Sequence, residues 1–238
     1  MNFKFKALII AAGEGTRLGI YTKTKPKSLL KILGIPIIER IILSAQKAGI
    51  TDFLIVTGYM GNKISDYLKD GKKYGIRIRY IHNEAWKRPN GVSVLKAKDM
   101  LKENFILLMS DHIFHPRKLT KFLNFKLKNN ECVLCVDKNT INILDIEDAT
   151  KVYVKNEKVI SIGKNLKRYN AIDTGMFIIS PYFFKVLEKS IKNGFCSITD
   201  SVREMSKQGK MKVFESEEFW FDIDSIKDLE HAEKKLKK

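Results

Sequence analysis

The 238-residue chain has few of the residues that staple small domains or build metal fingers: three cysteines, four histidines, two tryptophans and five prolines. Three cysteines supply no disulfide framework and suit a reducing compartment, so a cytoplasmic location is expected. Cys132 and Cys135 form a single Cys-x-x-Cys inside an apolar run. On a strand, residues three apart point to opposite faces, and no second pair completes a zinc site. Both are expected in the core. No stretch of about 18 apolar residues occurs, which excludes a spanning helix. The short apolar run near the N-terminus ends in glycines and reads as a strand, not a signal peptide. Acidic residues are also scarce. Asp and Glu number 27 against 44 Lys and Arg, a net charge of +17. The basic residues are spread along the chain without a nucleic-acid-binding motif, so nucleic acid is not an expected partner. Three readings of the charge compete: anionic substrates, solvated lysine-rich helix faces, and peripheral contact with an anionic membrane at its inner face.

What the chain does have begins with residues 7–31, ALIIAAGEGTRLGIYTKTKPKSLLK. Ala7 to Ala12 reads as a strand buried on both faces. It runs into Gly13-Glu14-Gly15-Thr16-Arg17, then a basic loop with Lys23, Lys25, Pro26 and Lys27. A buried strand that ends in a glycine turn brings backbone N–H groups up to phosphate oxygens. Arg17 and Lys27 add positive charge for the same oxygens. Two common phosphate motifs are excluded. A dinucleotide fingerprint needs a third glycine where Leu18 stands, and a Walker loop needs Gly-Lys-Ser/Thr after four spacers.

The remaining sequence alternates strand and helix signals. Helices are expected from Pro36 to Gly49, over 62–72, and after Asn90, Pro116, Pro181 and Ser197. Strands are expected at 52–57, 76–81, 105–109, 132–136, 173–179 and 211–214, with a hairpin over 151–162 that turns near Asn156-Glu157. The segment 137–149 reads as polar and irregular. Ser225 can cap the last helix, with Asp228 in the capping-box position. Strand, helix, strand, helix, strand at the N-terminus implies a parallel sheet with right-handed crossovers. Asp111 and Asp224 each follow a short apolar run and precede a polar turn, which is where α/β sheets place ligands. They are the pair chosen for Mg²⁺, with Asp222 near enough to assist. His82, His112, His115 and His231 are given no catalytic role.

Gly-x-Gly-Thr-Arg followed by Lys-Pro-Lys resembles the N-terminal motif of the sugar-phosphate nucleotidylyltransferases. MSDHIF, IGKNLKRYNAIDTGMF and WFDIDS resemble later motifs of the same family. The resemblance implies a Rossmann-like nucleotidyltransferase fold of the α/β class. Its central sheet would be mixed but mostly parallel, flanked by helices, with a small β-hairpin extension. One domain would cover 1–238, with a nucleotide half to about 115 and an acceptor half from 116. Ala11, Ala12, Gly13, Glu14, Gly15 and Thr16 would form the triphosphate loop, and Asn83, Gly91 and Ser93 would lie nearest the base. Lys164, Asp173 and Gly175 would receive the acceptor. Arg17 and Lys27 would stabilise the triphosphate and the charge at the reacting phosphorus.

The chemistry agrees with those residue types. A phosphomonoester is already an anion at neutral pH, so in-line attack on an α-phosphorus needs cations and no general base. Within the family, the Met-Ser-Asp-His and Trp-Phe-Asp-Ile-Asp segments look like those of inositol-1-phosphate cytidylyltransferases. That implies CTP and inositol 1-phosphate as substrates, with CDP-inositol and pyrophosphate as products, in the synthesis of di-myo-inositol phosphate, a hyperthermophile osmolyte. A membrane-embedded synthase is often fused to such enzymes. None follows Lys238, so a separate synthase is an expected partner, as is a homodimer. Phosphocholine or a hexose 1-phosphate with UTP or dTTP stays open as the alternative.

Overall fold

The structure is a computed structural model and describes residues 5–140 and 145–237. β1 (Ala7–Ala11) is buried at every residue, as its unbroken apolar run predicts. The basic loop expected after it is largely 3₁₀-helical, over Thr16–Thr22 and Lys27–Leu29. Short three-residue turns suit a segment in which Gly15, Gly19 and Pro26 stop an α-helix from propagating. β2 (Lys31–Ile32) and β3 (Ile35–Pro36) make a small hairpin. Pro36 is the N-cap of α1 (Ile37–Lys47), so the helix starts one residue later than predicted. α1 turns Ile37, Ile38, Ile41, Ile42 and Ala45 to the core.

β4 (Asp52–Thr57), α2 (Gly61–Leu68) and β5 (Arg77–His82) follow. α2 is shorter than predicted because Lys69 takes a left-handed φ of 53°. Next come α3 (Gly91–Lys96), β6 (Phe105–Met109), β7 (His112–Phe114), α4 (Pro116–Phe122) and β8 (Cys132–Asp137). Of the irregular stretch expected over 137–149, residues 141–144 lie outside the described residues. β9 (Lys151–Lys155) and β10 (Lys158–Gly163) form the predicted hairpin, and both turn residues, Asn156 and Glu157, have positive φ. β11 (Ala171–Ile179), α5 (Tyr182–Lys192), α6 (Ile198–Lys207), β12 (Met211–Glu215), β13 (Trp220–Asp222) and α7 (Ile226–Leu236) complete the order.

Nine strands form one sheet in the order β5-β4-β1-β6-β11-β8-β12-β10-β9. β5, β4, β1 and β6 are mutually parallel, while β11 is antiparallel to both of its neighbours β6 and β8. Alternate side chains feed two cores, one on each face. Ile9, Ile55 and Ile106 lie in one, and Leu8, Leu54 and Leu107 in the other. Cys135 and Cys132 divide between them in the same way, as predicted. Parallel strands open their carboxyl ends on one side. The segments that begin at Ala12, Gly58, Asn83 and Ser110 therefore emerge together. Beside them, β7 and β13 pair apart from the main sheet, with His112 opposite Asp222.

Candidate functional site

The glycine turn and Lys27 are one packed unit. Gly15 has φ +69°, and a Cβ there would fall 2.7 Å from Lys27 Cβ. A glycine is required both for the left-handed turn and for the lysine stem that crosses it. Gly13 differs: a Cβ there would meet nothing within 4 Å. Ala11 and Ala12 are buried beneath the turn, Glu14 is half-buried, and Thr16 is exposed.

Lys27 points its ammonium between two acids. Nζ lies 2.7 Å from Asp111 Oδ2 and 2.5 Å from Asp224 Oδ1. Burial works against a charged lysine here, but Asp111 and Asp224 outweigh it and hold the pKa well above the usual lysine value. Asp111 is held far below the usual carboxylate range: its burial is overcome by Lys27 and His112. Asp224 also pairs with Arg17 Nη2 at 2.5 Å. The two aspartates chosen from the sequence thus converge on one cation.

Their convergence comes from the β7–β13 pairing. Opposite His112 stands Asp222, and Ile223 N–H donates to Asp111 C=O at 3.1 Å, which brings the ends of β6 and β13 together. His112, given no role from the sequence, sits at the centre. Its Nδ1 lies 2.8 Å from Asp111 Oδ1, and its Nε2 lies 3.6 Å from Asp222 Oδ2. Burial lowers its pKa, but Asp222 and Asp111 prevail and raise it to about 9. Asp222 is pushed up by burial and by the charges of Asp111 and Asp224. Among the described residues, its Oδ1 is buried without a hydrogen-bond partner. Asp111, His112 and Asp222 each offer one ligand atom within 4.8 Å of the others, a group able to hold a metal ion.

Behind His112 is a slot made for a ring. Gly175 has φ +70°, and a Cβ there would lie 2.5 Å from His112 Cδ2. The register of β11 against β8 shifts between Asp173 and Phe177, as at a β-bulge beside a site. The indole of Trp220 stacks on the imidazole at 5.8 Å and 11°. Gly175 N–H donates to Asp173 Oδ1 at 2.8 Å, and burial raises the Asp173 pKa to about 6.

Lys164 meets Asp148 at 2.5 Å, and Arg17 pairs with the same carboxylate. Asp148 is held below its usual pKa: burial pushes it up, but Lys164 and Arg17 prevail. No sequence signal singled it out, since it lies in a polar stretch without periodicity. Asn83 and Ser93 are 0% and 2% exposed. Asn83 Nδ2 donates to Ser93 Oγ at 2.9 Å, and Asn83 Oδ1 accepts the Ala85 N–H at 3.1 Å. Together they brace the 83–93 segment from beneath. Gly91 is buried at the start of α3.

The site thus gathers the glycine turn after β1 and Asp111 after β6, at the carboxyl ends of parallel strands, with Arg17, Lys27, Lys164 and four more aspartates (Asp148, Asp173, Asp222 and Asp224) around them, a make-up suited to anionic phosphates. Known proteins agree. The bifunctional IPC transferase and DIPP synthase of Aquifex aeolicus is 34% identical over 98% of this chain and 52% of its own length. The protein of the same description from Thermococcus kodakarensis is 33% identical, over 97% and 50%. The chain spans about half the length of these curated relatives. Among solved structures, the inositol-1-phosphate CTP transferase from T. maritima is 26% identical with a TM-score of 0.85, covering 96% of this chain and 93% of that one. A UDP-glucose pyrophosphorylase complexed with UDP-glucose is 20% identical with a TM-score of 0.83 over 98% of each chain, a likeness of fold. The nucleotidyl transferase family profile matches residues 6–238, and the chain belongs to that family.

Proposed function

We propose that this chain transfers a cytidylyl group from CTP to inositol 1-phosphate, giving CDP-inositol and pyrophosphate. One observation carries the reading: Lys27 is clasped by Asp111 and Asp224 at the mouth of the glycine turn, with Arg17 on the same aspartate. Such a cluster suits a reaction whose barrier is the approach of anions. The relatives' and the T. maritima enzyme's descriptions support the choice of base and acceptor.

In this reading residues 1–238 act as one domain, with the nucleotide half to about 115 and the acceptor half from 116. The turn at Ala11–Thr16 takes the triphosphate through its backbone N–H groups. Asn83, Gly91 and Ser93 shape the base segment. Arg17 and Lys27 neutralise charge around the α-phosphorus and the leaving pyrophosphate. Lys164 takes the acceptor phosphate, and Asp173 and Gly175 line the acceptor side. The phosphate oxygen is its own nucleophile, so no side chain has to remove a proton. Asp222 Oδ1, buried and without a hydrogen-bond partner among the described residues, fits a divalent cation in this cluster. Asp111 and Asp224, with Asp222, would hold Mg²⁺, which when bound supplies further charge neutralisation to the phosphates.

Among the described residues no helix is long and apolar enough to cross a membrane. A cytoplasmic homodimer that touches an anionic membrane face and hands CDP-inositol to a membrane-embedded synthase belongs to the same proposal. A panel of triphosphates and acceptors, read by pyrophosphate release, tests the reading. CTP with inositol 1-phosphate is expected to be fastest. A faster rate for UTP or dTTP with glucose 1-phosphate, or for phosphocholine as acceptor, overturns it.

A further inference from the structure

Lys118 lies in α4, outside the site, and is 0% exposed. An ammonium in a core is expensive to desolvate, and burial lowers the pKa of this one. Packing alone does not call for the charge, since a methionine fills similar space. What the charge holds is backbone. Nζ donates to Ser216 C=O at 2.9 Å and to Glu218 C=O at 3.0 Å. The next carbonyl, Phe219 C=O, accepts the N–H of His115, the N-cap of α4, at 3.1 Å. The first turn of α4 therefore gathers three carbonyls of the segment that enters β13. Lys121 adds a bond to the Glu218 carboxylate at 2.9 Å. β13 carries Asp222, and Asp224 follows two residues later.

We infer that Lys118 is a positioning residue: its buried ammonium fixes the 216–219 segment so that Asp222 and Asp224 meet Asp111 in register. The inference rests on the proposed role of those aspartates at the reacting phosphates. Lys118 touches no substrate. It acts through backbone carbonyls. Both ends of the segment have a further tie, Ser216 N–H to Val136 C=O at 3.2 Å and Phe219 C=O to His115 N–H at 3.1 Å, and Lys118 joins the stretch between them to α4. Misplacing a catalytic group by about 1 Å costs on the order of 100-fold in rate.

The test compares the wild type with Lys118→Met, which keeps the volume and removes the charge and donors. Where that variant fails to fold, Lys118→Gln, which keeps an N–H donor, takes its place. Turnover is measured with the fastest substrate pair of the panel, nucleotide affinity by calorimetry, and backbone opening by hydrogen exchange over 216–224. The inference predicts a kcat lower by roughly 10- to 100-fold, nucleotide Kd within about twofold, and faster exchange at 220–224 with 132–137 unchanged. Wild-type kcat in a folded variant overturns it, and so does unchanged exchange at 220–224. Loss of nucleotide affinity in step with kcat also overturns it, because a general structural role would do that. A wild type that turns over no pair refutes the proposed function instead, and the exchange comparison still decides the role of Lys118.

Discussion

Gly13 and Gly15 sit two residues apart and answer to different constraints. Gly15 is fixed by the fold, through its φ of +69° and the Lys27 stem 2.7 Å from its missing Cβ. Gly15→Ala is expected to cost about 1–3 kcal/mol and to displace Lys27 as well. Gly13 has neither constraint, and a methyl there would stand in open space. Gly13→Ala is expected to leave stability within about 0.5 kcal/mol yet raise the triphosphate KM by roughly tenfold, since it is a ligand that would meet the methyl. Thermal unfolding and KM measured on both variants check the split. If Gly13→Ala binds triphosphate like the wild type, the turn does not cradle phosphate. Asp148 carries a second prediction at this scale. It neutralises Arg17 and Lys164, so a phosphate has to displace it. The partners are 53% and 51% exposed, so each pair is worth no more than about 1 kcal/mol. Asp148→Asn is expected to bind inorganic phosphate roughly three- to tenfold more tightly in a calorimetric titration. Weaker binding would show instead that the carboxylate arranges the two cations.

Elements with a repeating signal were legible in the sequence, and those that exist only through a partner were not. β1 announced itself by an unbroken apolar run, and α1 by isoleucines at helical spacing. The cap of α7 was legible because Ser225 and Asp228 stand three apart. The β7–β13 pairing was not, since three residues are too few to show alternation. Without it, His112 was given no catalytic role, although it directly follows Asp111. The 3₁₀ turns after β1 were hidden for a similar reason, since glycine and proline say where an α-helix stops but not what replaces it. The α7 cap reaches the site as well. Asp228 Oδ2 accepts the N–H of Asp224 at 3.1 Å and that of Ser225 at 2.7 Å. Asp228→Ala is therefore expected to cost about 1 kcal/mol of stability. It should also lower turnover by roughly fivefold or more, through a loosened Asp224. Unfolding curves with pyrophosphate-release assays check both. Lost stability with wild-type turnover would confine the cap to the helix.

At the scale of the whole molecule, a net charge of +17 draws anionic substrates in but also makes the folded chain repel itself. Paired carboxylates hold that repulsion down, and Asp52 shows how. Asp52 opens β4 and meets Arg77 at 2.6 Å and Arg79 at 3.3 Å on β5, at the strand ends opposite the glycine turn. Burial raises its pKa, but the two arginines outweigh it and hold the carboxyl below its ordinary value. A carboxyl depressed in the folded state contributes stability above its unfolded pKa of about 3.9 and loses it as pH falls through the folded value. Asp52→Asn removes that contribution at every pH. The variant is expected to be less stable than the wild type by about 1 kcal/mol at pH 7, a figure discounted for the exposed arginines. The gap should close as pH drops below about 4. Over the same range each protonated carboxyl adds to the positive charge, so salt should raise the melting temperature of both proteins more at low pH than at pH 7. Melts at three pH values and two salt concentrations measure both effects. A gap that stays constant with pH would mean that Asp52 contributes packing rather than charge.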